Sequence, residues 1–320
     1  MSVFLRYLSV ALLGVGLCAS AKAWPERPVK LVVPYSSGAM GDTLARLLAE
    51  ELRPLLGQSV VVENRPGAGG NIGAAAVARA PADGYTFLVA ATNNLVVNQH
   101  LYKKLDFDPL SAFDPVTFLV DVPSVLFVQP AIGKTLAEFN GQARAQKGKL
   151  NYGSPGSGTT PHLALHAIDQ TLGWGMTHIP YPGAVPALTA LLANEIQAYV
   201  GGAGLALQHV QSGKLVAAAV SSEKRLAVLP ETPTFAEAGL GAMKASNWWA
   251  LVAPKGTPPA VVERMNAALH EVLRRSNVQD RFEKLGVQAR PSSPRAIAQQ
   301  LAEESSFWKK AVNAAGVSLE

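Results

Sequence analysis

Two turns rich in glycine and hydroxyl side chains are the parts of this sequence best suited to hold a ligand. One covers residues 35–42 and the other residues 152–160, and each follows a short apolar strand and precedes a predicted helix. The backbone N–H groups at the start of a helix have no partner within the helix, and the helix dipole adds partial positive charge there. Each turn can therefore hold an anionic oxygen without a charged side chain.

Other patterns point to different chemistry only weakly. Residues 67–73 follow a strand and open a helix, but their Gly-x-Gly-x-x-x-Gly spacing is one residue longer than the dinucleotide-binding fingerprint. We interpret this segment as a tight turn that stabilises a helix start. Ser157 and His162 leave a secreted hydrolase as an alternative, although no acid has a recognisable role beside them. The histidines lack metal-ligand spacing, so we expect no catalytic residue, no metal and no cofactor.

The first 23 residues have the pattern of a secretion signal. Arg6 precedes an apolar stretch at residues 8–17, which is too short to span a bilayer, and residues 21–23 (AKA) match a cleavage site. A lipid anchor on Cys18 is the alternative, and the large Leu17 before it argues against that anchor. We expect a mature periplasmic protein that begins at Trp24.

The composition of the mature chain excludes several classes of function. Cleavage removes Arg6 and Lys22 from the 28 basic residues, which leaves 26 against 23 acidic ones. This small excess gives no argument for nucleic-acid binding. The single cysteine, Cys18, lies in the signal segment, so disulfides and thiolate metal sites are excluded from the mature chain.

The rest of the chain alternates between apolar runs and helical patterns, which predicts an α/β fold with parallel strands. The predicted strands cover residues 29–34, 59–63, 85–91, 149–152, 176–179, 196–200, 215–220 and 248–252. The predicted helices cover residues 42–56, 70–80, 161–172, 184–193, 205–211, 258–275, 278–285 and 294–314.

The middle third of the chain is expected to form a second α/β unit with its own core. The helical tail that follows it is expected to pack on the first unit. We therefore predict a first domain of residues 24–123 plus 247–320, and a second domain of residues 124–246 inserted into it. Crossovers are predicted near residues 123–127 and 246–249. The aromatic pair Trp248-Trp249 beside the second crossover either forms a wall of a cleft or packs in the core.

Seven segments in order resemble the substrate-binding receptors of tripartite tricarboxylate transporters, also called the Bug family. The most specific of them is residues 61–73 (VVENRPGAGGNIG). The others are residues 33–46, 81–86, 152–163, 180–183, 212–215 and 229–239. The resemblance as a whole extends over nearly the whole mature chain.

The resemblance implies a periplasmic binding protein type II fold, in which two α/β domains close on a ligand. It implies that a carboxylate is held mainly by backbone N–H groups of the two turns and by water. Expected partners are a small carboxylate and the permease subunits of a transporter, with a sensor kinase as the alternative, and we expect a monomer. The ligand-binding residues that it implies are Tyr35, Ser36, Gly38, Ala39, Met40, Gly41, Asp42, Thr92, Asn93, Ser154, Ser157, Gly158, Thr159, Thr160, Tyr181, Gly201 and Gly202.

Departures from the family pattern narrow the expected ligand. Ser36 and Ser37 stand where many relatives have two prolines, and they add hydroxyl donors. Met40 and Gly41 stand where a small residue and a threonine are usual. Gly201 occupies a position that is commonly aspartate, so a ligand amino group would lack a partner. We therefore expect a dicarboxylate or an aromatic carboxylate rather than an amino acid.

Overall fold

The computed structural model describes residues 24–240 and 247–320 of the chain. The predicted signal segment lies outside the described residues. Within the described ranges, no helix is both long and apolar enough to cross a membrane.

The described residues form strands and helices in alternation. The strands are β1 (Val29–Val33), β2 (Val60–Asn64), β3 (Thr86–Ala91), β4 (Phe113–Val122), β5 (Ser124–Val128), β6 (Asn151–Ser154), β7 (Thr177–Pro180), β8 (Ala198–Gly202), β9 (Val216–Val220), β10 (Asn247–Pro254) and β11 (Gln288–Ala289). The helices are α1 (Met40–Leu56), α2 (Asn71–Ala78), α3 (Asn98–Leu101), α4 (Leu136–Ala145), α5 (Thr160–Leu172), α6 (Ala184–Leu192), α7 (Ala203–Gln211), α8 (Pro259–Arg274), α9 (Ser276–Leu285) and α10 (Pro294–Ala315).

These strands build two sheets with the same internal plan. The first has the order β11-β4-β10-β3-β1-β2 and the second the order β7-β6-β8-β5-β9. Three strands of each sheet run parallel, and a fourth, β10 or β5, pairs antiparallel beside them. The predicted α/β class with parallel pairing is confirmed.

Each sheet is buried on both faces, as its near-continuous apolar strands require. In β1, Leu31 and Val33 pack on one side of the first sheet and Val32 packs on the other. The second sheet is likewise covered by two apolar clusters, one around Trp174 and one around Tyr199. Each sheet therefore has its own core.

The crossovers between the sheets differ from the prediction. The chain leaves the first sheet at Val122 and enters the second at Ser124, so Pro123 alone separates the two strands. Residues 124–127 are part of β5, and Trp248 and Trp249 are part of β10, because ladder hydrogen bonds continue through both segments. Residues 241–246 lie outside the described part of the chain.

Candidate functional site

The first predicted turn joins β1 to α1 and is ordered by the carboxylate of Asp42. The N–H of Gly38 donates to Asp42 Oδ2 at 2.9 Å, and Arg46 Nε donates to the same oxygen at 3.0 Å. The hydrogen bond from Arg46 lowers the pKa of the Asp42 carboxyl to about 2. The Asp42 side chain is 3% exposed. Asp42, a predicted ligand-binding residue, thus holds the turn in place.

Behind this turn, Asn94 joins Tyr35 to the glycine-rich segment. Asn94 Oδ1 accepts hydrogen bonds from the Tyr35 hydroxyl at 3.3 Å and from the N–H of Ala91 at 3.0 Å, and its Nδ2 donates to the carbonyl of Gly69 at 3.2 Å. A Cβ on Gly70 would collide with this amide. The glycine-rich segment therefore supports Tyr35 through Asn94, a fully buried residue that the sequence did not single out.

The two tryptophans of β10 pack in the core. Trp248 Nε1 donates to Glu304 Oε2 at 2.9 Å, and a Cβ on Gly41 would collide with the Trp249 ring. The Thr92 hydroxyl accepts from the N–H of Trp248 at 2.8 Å and donates to its carbonyl at 3.2 Å. Thr92, a predicted ligand contact, is fully buried, and its hydrogen bonds link the end of β3 to β10. Of the two interpretations of the tryptophans, core packing is the one observed.

The second predicted turn joins β6 to α5 and is held by two histidines. The N–H of Gly158 donates to His162 Nδ1 at 3.0 Å. The Ser154 hydroxyl donates to the carbonyl of Gly156 at 2.9 Å and lies 2.7 Å from His178 Nε2. Ser154 is fully buried, so its hydroxyl shapes the turn from behind. His178 was not among the predicted site residues.

The second turn contacts the helical segment that follows β3 of the first sheet, next to Asn94, which binds Tyr35 of the first turn. Thr160 Oγ1, at the start of α5, donates to Asn93 Oδ1 at 2.8 Å. A Cβ on Gly158 would collide with Leu101 of α3. Leu163 of α5 packs into the apolar cluster of the first sheet. Asn93 and Thr160 are 67 positions apart in the sequence, and the fold brings their side chains into contact.

The remaining predicted residues lie just after β7 and at the end of β8 in the second sheet. The Tyr181 ring lies against Gly153, where an added Cβ would be 3.3 Å from Tyr181 Cε2. Gly201 is buried, and an added Cβ there would lie 2.5 Å from Cε1 of Tyr199. The Tyr199 ring thus fills the space that a side chain at position 201 would need. Gly202 is the N-cap residue of α7.

The predicted residues fall into three groups by exposure. Ser36, Gly38 and Ser157 are exposed. The half-buried group is Tyr35, Ala39, Met40, Asn93, Thr159, Tyr181 and Gly202. The buried group is Gly41, Asp42, Thr92, Ser154, Gly158, Thr160 and Gly201. The exposed and half-buried groups offer mainly backbone and hydroxyl donors, whereas the buried side chains support them.

The described residues give little support to metal binding or to a hydrolase that uses Ser157 and His162. Within residues 24–240 and 247–320, no group of three or more His, Cys, Asp or Glu side chains is arranged to hold a metal ion. The Nδ1 atom of His162 accepts from the turn itself, so it caps the turn instead of facing Ser157 as a base. The two turns thus place backbone N–H groups at the N-termini of α1 and α5.

Known proteins resemble this chain in sequence and in fold. The family model described as "Tripartite tricarboxylate transporter family receptor" matches residues 44–317. The protein BugT of Bordetella pertussis is 34% identical over 97% of this chain and 96% of its own length. An R. palustris structure with adipate has a TM-score of 0.80 and 32% identity, and covers 92% of this chain and 99% of that one.

A second solved structure is similar to the same degree. MatC from Rhodopseudomonas palustris, with bound malate, has a TM-score of 0.75 and 33% identity, and covers 90% of this chain and 100% of that one. The fold is therefore that of two-domain periplasmic solute-binding proteins. With a family model that spans most of its length and relatives above 30% identity, the chain belongs to the tripartite tricarboxylate transporter receptor family, the Bug proteins.

Proposed function

We propose that this protein is a periplasmic, non-catalytic receptor that binds a small dicarboxylate or aromatic carboxylate between two domains and delivers it to a membrane permease. The observation that carries the proposal is the position of the second helix N-terminal turn beside the first sheet, where Thr160 donates to Asn93 at 2.8 Å and the neighbouring Asn94 accepts from Tyr35 of the first turn. Each turn presents backbone donors at a helix N-terminus, and such donors favour anions. Relatives solved with adipate and with malate support a carboxylate ligand.

The domains in this proposal are residues 24–123 plus 247–320, and residues 124–246. Sheet membership supports them, because β1–β4, β10 and β11 form one sheet and β5–β9 form the other. Residues 1–23 serve as the signal peptide that takes the chain to the periplasm, and the receptor works as a monomer.

Closure must supply most of the affinity. One helix-terminus contact contributes about 0.3 to 1 kcal/mol at an exposed site. A micromolar dissociation constant requires about 8 kcal/mol. The difference comes from charge-assisted hydrogen bonds, exclusion of water and burial of the apolar body of the ligand.

The ligand is proposed to carry no amino group. Gly201 offers no side chain, and the Tyr199 ring occupies the space beside it, so a carboxylate side chain there would require the ring to move. A ligand ammonium would therefore lose its hydration without gaining an ionic partner at this position. Di- and aromatic carboxylates avoid that cost.

The test is calorimetric titration of the mature protein with adipate, malate, benzoate and the amino acids aspartate and glutamate. We expect binding by a member of the first three and at least about tenfold weaker binding of the amino acids, a difference of about 1.4 kcal/mol. Tight binding of an amino acid alone would contradict the proposed ligand class. Loss of uptake of the bound carboxylate in a deletion strain, restored by the gene, distinguishes transport from sensing.

A further inference from the structure

The two turns share a backbone design but differ in the side chain that completes it. Gly38 and Gly158 have φ values of 81° and 76°, and each donates its N–H to the side chain four residues later. That acceptor is the carboxylate of Asp42 in the first turn and the Nδ1 atom of His162 in the second. The first acceptor stays charged near neutral pH, whereas the second works only without a proton on Nδ1.

Hydrogen bonds fix which nitrogen of each histidine carries the proton. His162 Nδ1 accepts from Gly158, so its proton lies on Nε2. The Ser154 hydroxyl donates to the carbonyl of Gly156, so its oxygen accepts from His178 Nε2 at 2.7 Å. His178 thereby holds the beginning of the turn through Ser154, and His162 holds its end.

The imidazoles of the buried His162 and the half-buried His178 also stack on each other. Their ring centroids are 3.7 Å apart with an interplanar angle of 16°, and His162 is 3% exposed. Tyr152 stacks on His178 at 5.0 Å, and His166 lies 6.4 Å from His162. The buried carboxyl of Asp169, on the same helix as His162, accepts from the N–H of Met176 at 2.9 Å.

This environment disfavours a charge on either ring. Burial, followed by repulsion from the neighbouring histidines, lowers the pKa of His162 to about 3. Burial and repulsion from His166 lower the pKa of His178 to about 4. Two cations at stacking distance would repel each other, and a protonated Nδ1 on His162 would face the N–H of Gly158 donor to donor.

We propose that His162 and His178 are positioning residues of the second turn. As a neutral stacked pair, the two side chains hold both ends of the turn in the arrangement that binds a carboxylate. Protonation of His162 on Nδ1 removes the acceptor of the Gly158 N–H, releases that end of the turn and weakens binding. This inference rests on the proposed carboxylate-binding function. It adds a pH limit to that function and assigns a role to a buried and a half-buried histidine that support the turn from behind.

Two substitutions separate the hydrogen bond from the stacking. His162→Asn keeps an acceptor that does not titrate, and the carboxylate of Asp42 reaches the equivalent N–H at 2.9 Å from the equivalent position. His162→Phe keeps the ring against His178 and removes the acceptor. We expect adipate to bind His162→Asn nearly as well as the unaltered protein near neutral pH, and to bind His162→Phe about tenfold more weakly at every pH.

The pH profile supplies a readout that a purely structural role would not change. Adipate itself gains protons in acid, so the informative quantity is the ratio of the two dissociation constants at each pH. Between about pH 7 and about pH 3, the affinity of the unaltered protein should fall about twofold further than that of His162→Asn, because a group with a pKa of about 3 is half protonated at pH 3. Parallel profiles, or tighter relative binding by the unaltered protein in acid, would overturn the inference.

Hydrogen exchange of the Gly158 amide, followed by NMR without ligand, tests the inference independently of adipate. We expect protection in the unaltered protein and in His162→Asn, and loss of protection in His162→Phe. Equal protection in all three proteins would overturn the positioning role. Failure of every carboxylate to bind the unaltered protein, with the exchange pattern as expected, would refute the proposed ligand and leave the positioning role of the histidine supported.

Discussion

At the scale of single residues, the first turn depends on one buried carboxylate. Asp42 Oδ2 receives hydrogen bonds from the N–H of Gly38, from Arg46 Nε and, at 3.3 Å, from the Ser37 hydroxyl. A negative charge in the first turn of a helix also interacts favourably with the helix dipole. Removal of the charge therefore weakens several contacts together.

We predict that Asp42→Asn lowers the free energy of unfolding by about 1 to 3 kcal/mol near neutral pH, since hydrogen bonds to charged groups are weakened. The pKa of Asp42 is about 2 in the folded protein, below its ordinary unfolded value. Its contribution is therefore complete above about pH 4 and is lost as the pH falls toward about 2. Urea unfolding of both proteins at several pH values measures the difference, which should shrink in acid.

Glu50→Gln is the matched control for this prediction. Glu50 pairs with Arg281 at 3.0 Å, and the two side chains are 66% and 47% exposed. An exposed pair of this kind contributes little, so we expect a change below about 0.5 kcal/mol. Equal effects of the two substitutions would contradict the role assigned to Asp42.

At the scale of elements, the close approach of α2 to the end of β1 places the glycine-rich segment behind the first turn. A Cβ on Gly73 would lie 2.8 Å from both the carbonyl oxygen of Arg65 and the Cα of Pro34. Both neighbours are backbone atoms, so they cannot move aside as a flexible side chain would. A glycine is therefore required where α2 meets the strand.

We predict that Gly73→Ala destabilises the protein by about 1 to 3 kcal/mol, as expected for overpacking of a tight contact. Gly141 of α4 is the matched control, because an added Cβ there meets no atom within 4 Å. Gly141→Ala should stabilise the protein by up to about 1 kcal/mol through its higher helix propensity. Urea denaturation of both variants gives the two values, and a neutral effect at Gly73 would disprove the close contact.

The elements with clear periodicity were predicted within a few residues, and the elements that were missed have weaker patterns. Residues 93–101 were not predicted as a helical segment, and β4, β5 and α4 were not predicted either. For α4 the sequence does carry a signal, since the Thr135 hydroxyl accepts from the N–H of Glu138, as in a capping box. For β4 and β5, only sheet pairing decides where one strand ends and the next begins.

At the scale of the whole molecule, the two sheets are joined by contacts on one side of the site. Thr160 donates to Asn93, Leu163 packs into the first cluster, and His166 Nε2 lies 3.2 Å from the carbonyl of Ala314. These contacts hold the second turn and its helix against the first sheet and its covering helices. They should therefore contribute to ligand affinity through closure.

We predict that Thr160→Val weakens binding of the carboxylate about fivefold to tenfold, because valine cannot donate to Asn93 and a hydrogen bond contributes about 1 kcal/mol. The radius of gyration without ligand should increase. Thr189→Val is the control, since its hydroxyl bonds only to the carbonyl of Val185 in its own helix. In a double-mutant cycle, Asn93→Ala should cost little more once Thr160 is valine, and fully additive losses would rule out the link.

The sequence by itself determined the alternation of strands and helices, the two helix N-terminal turns and the family, because strand and helix periodicity and turn chemistry are local properties of the chain. The tertiary structure alone decided which predicted residues face outward and which, such as Thr92 and Ser154, support them from behind. It also revealed two supporting residues. Asn94 forms a hydrogen bond with Tyr35, 59 positions away, and His178 forms one with Ser154, 24 positions away. Contacts over such separations depend on how the strands pair and how the helices pack. No local sequence pattern therefore predicts them.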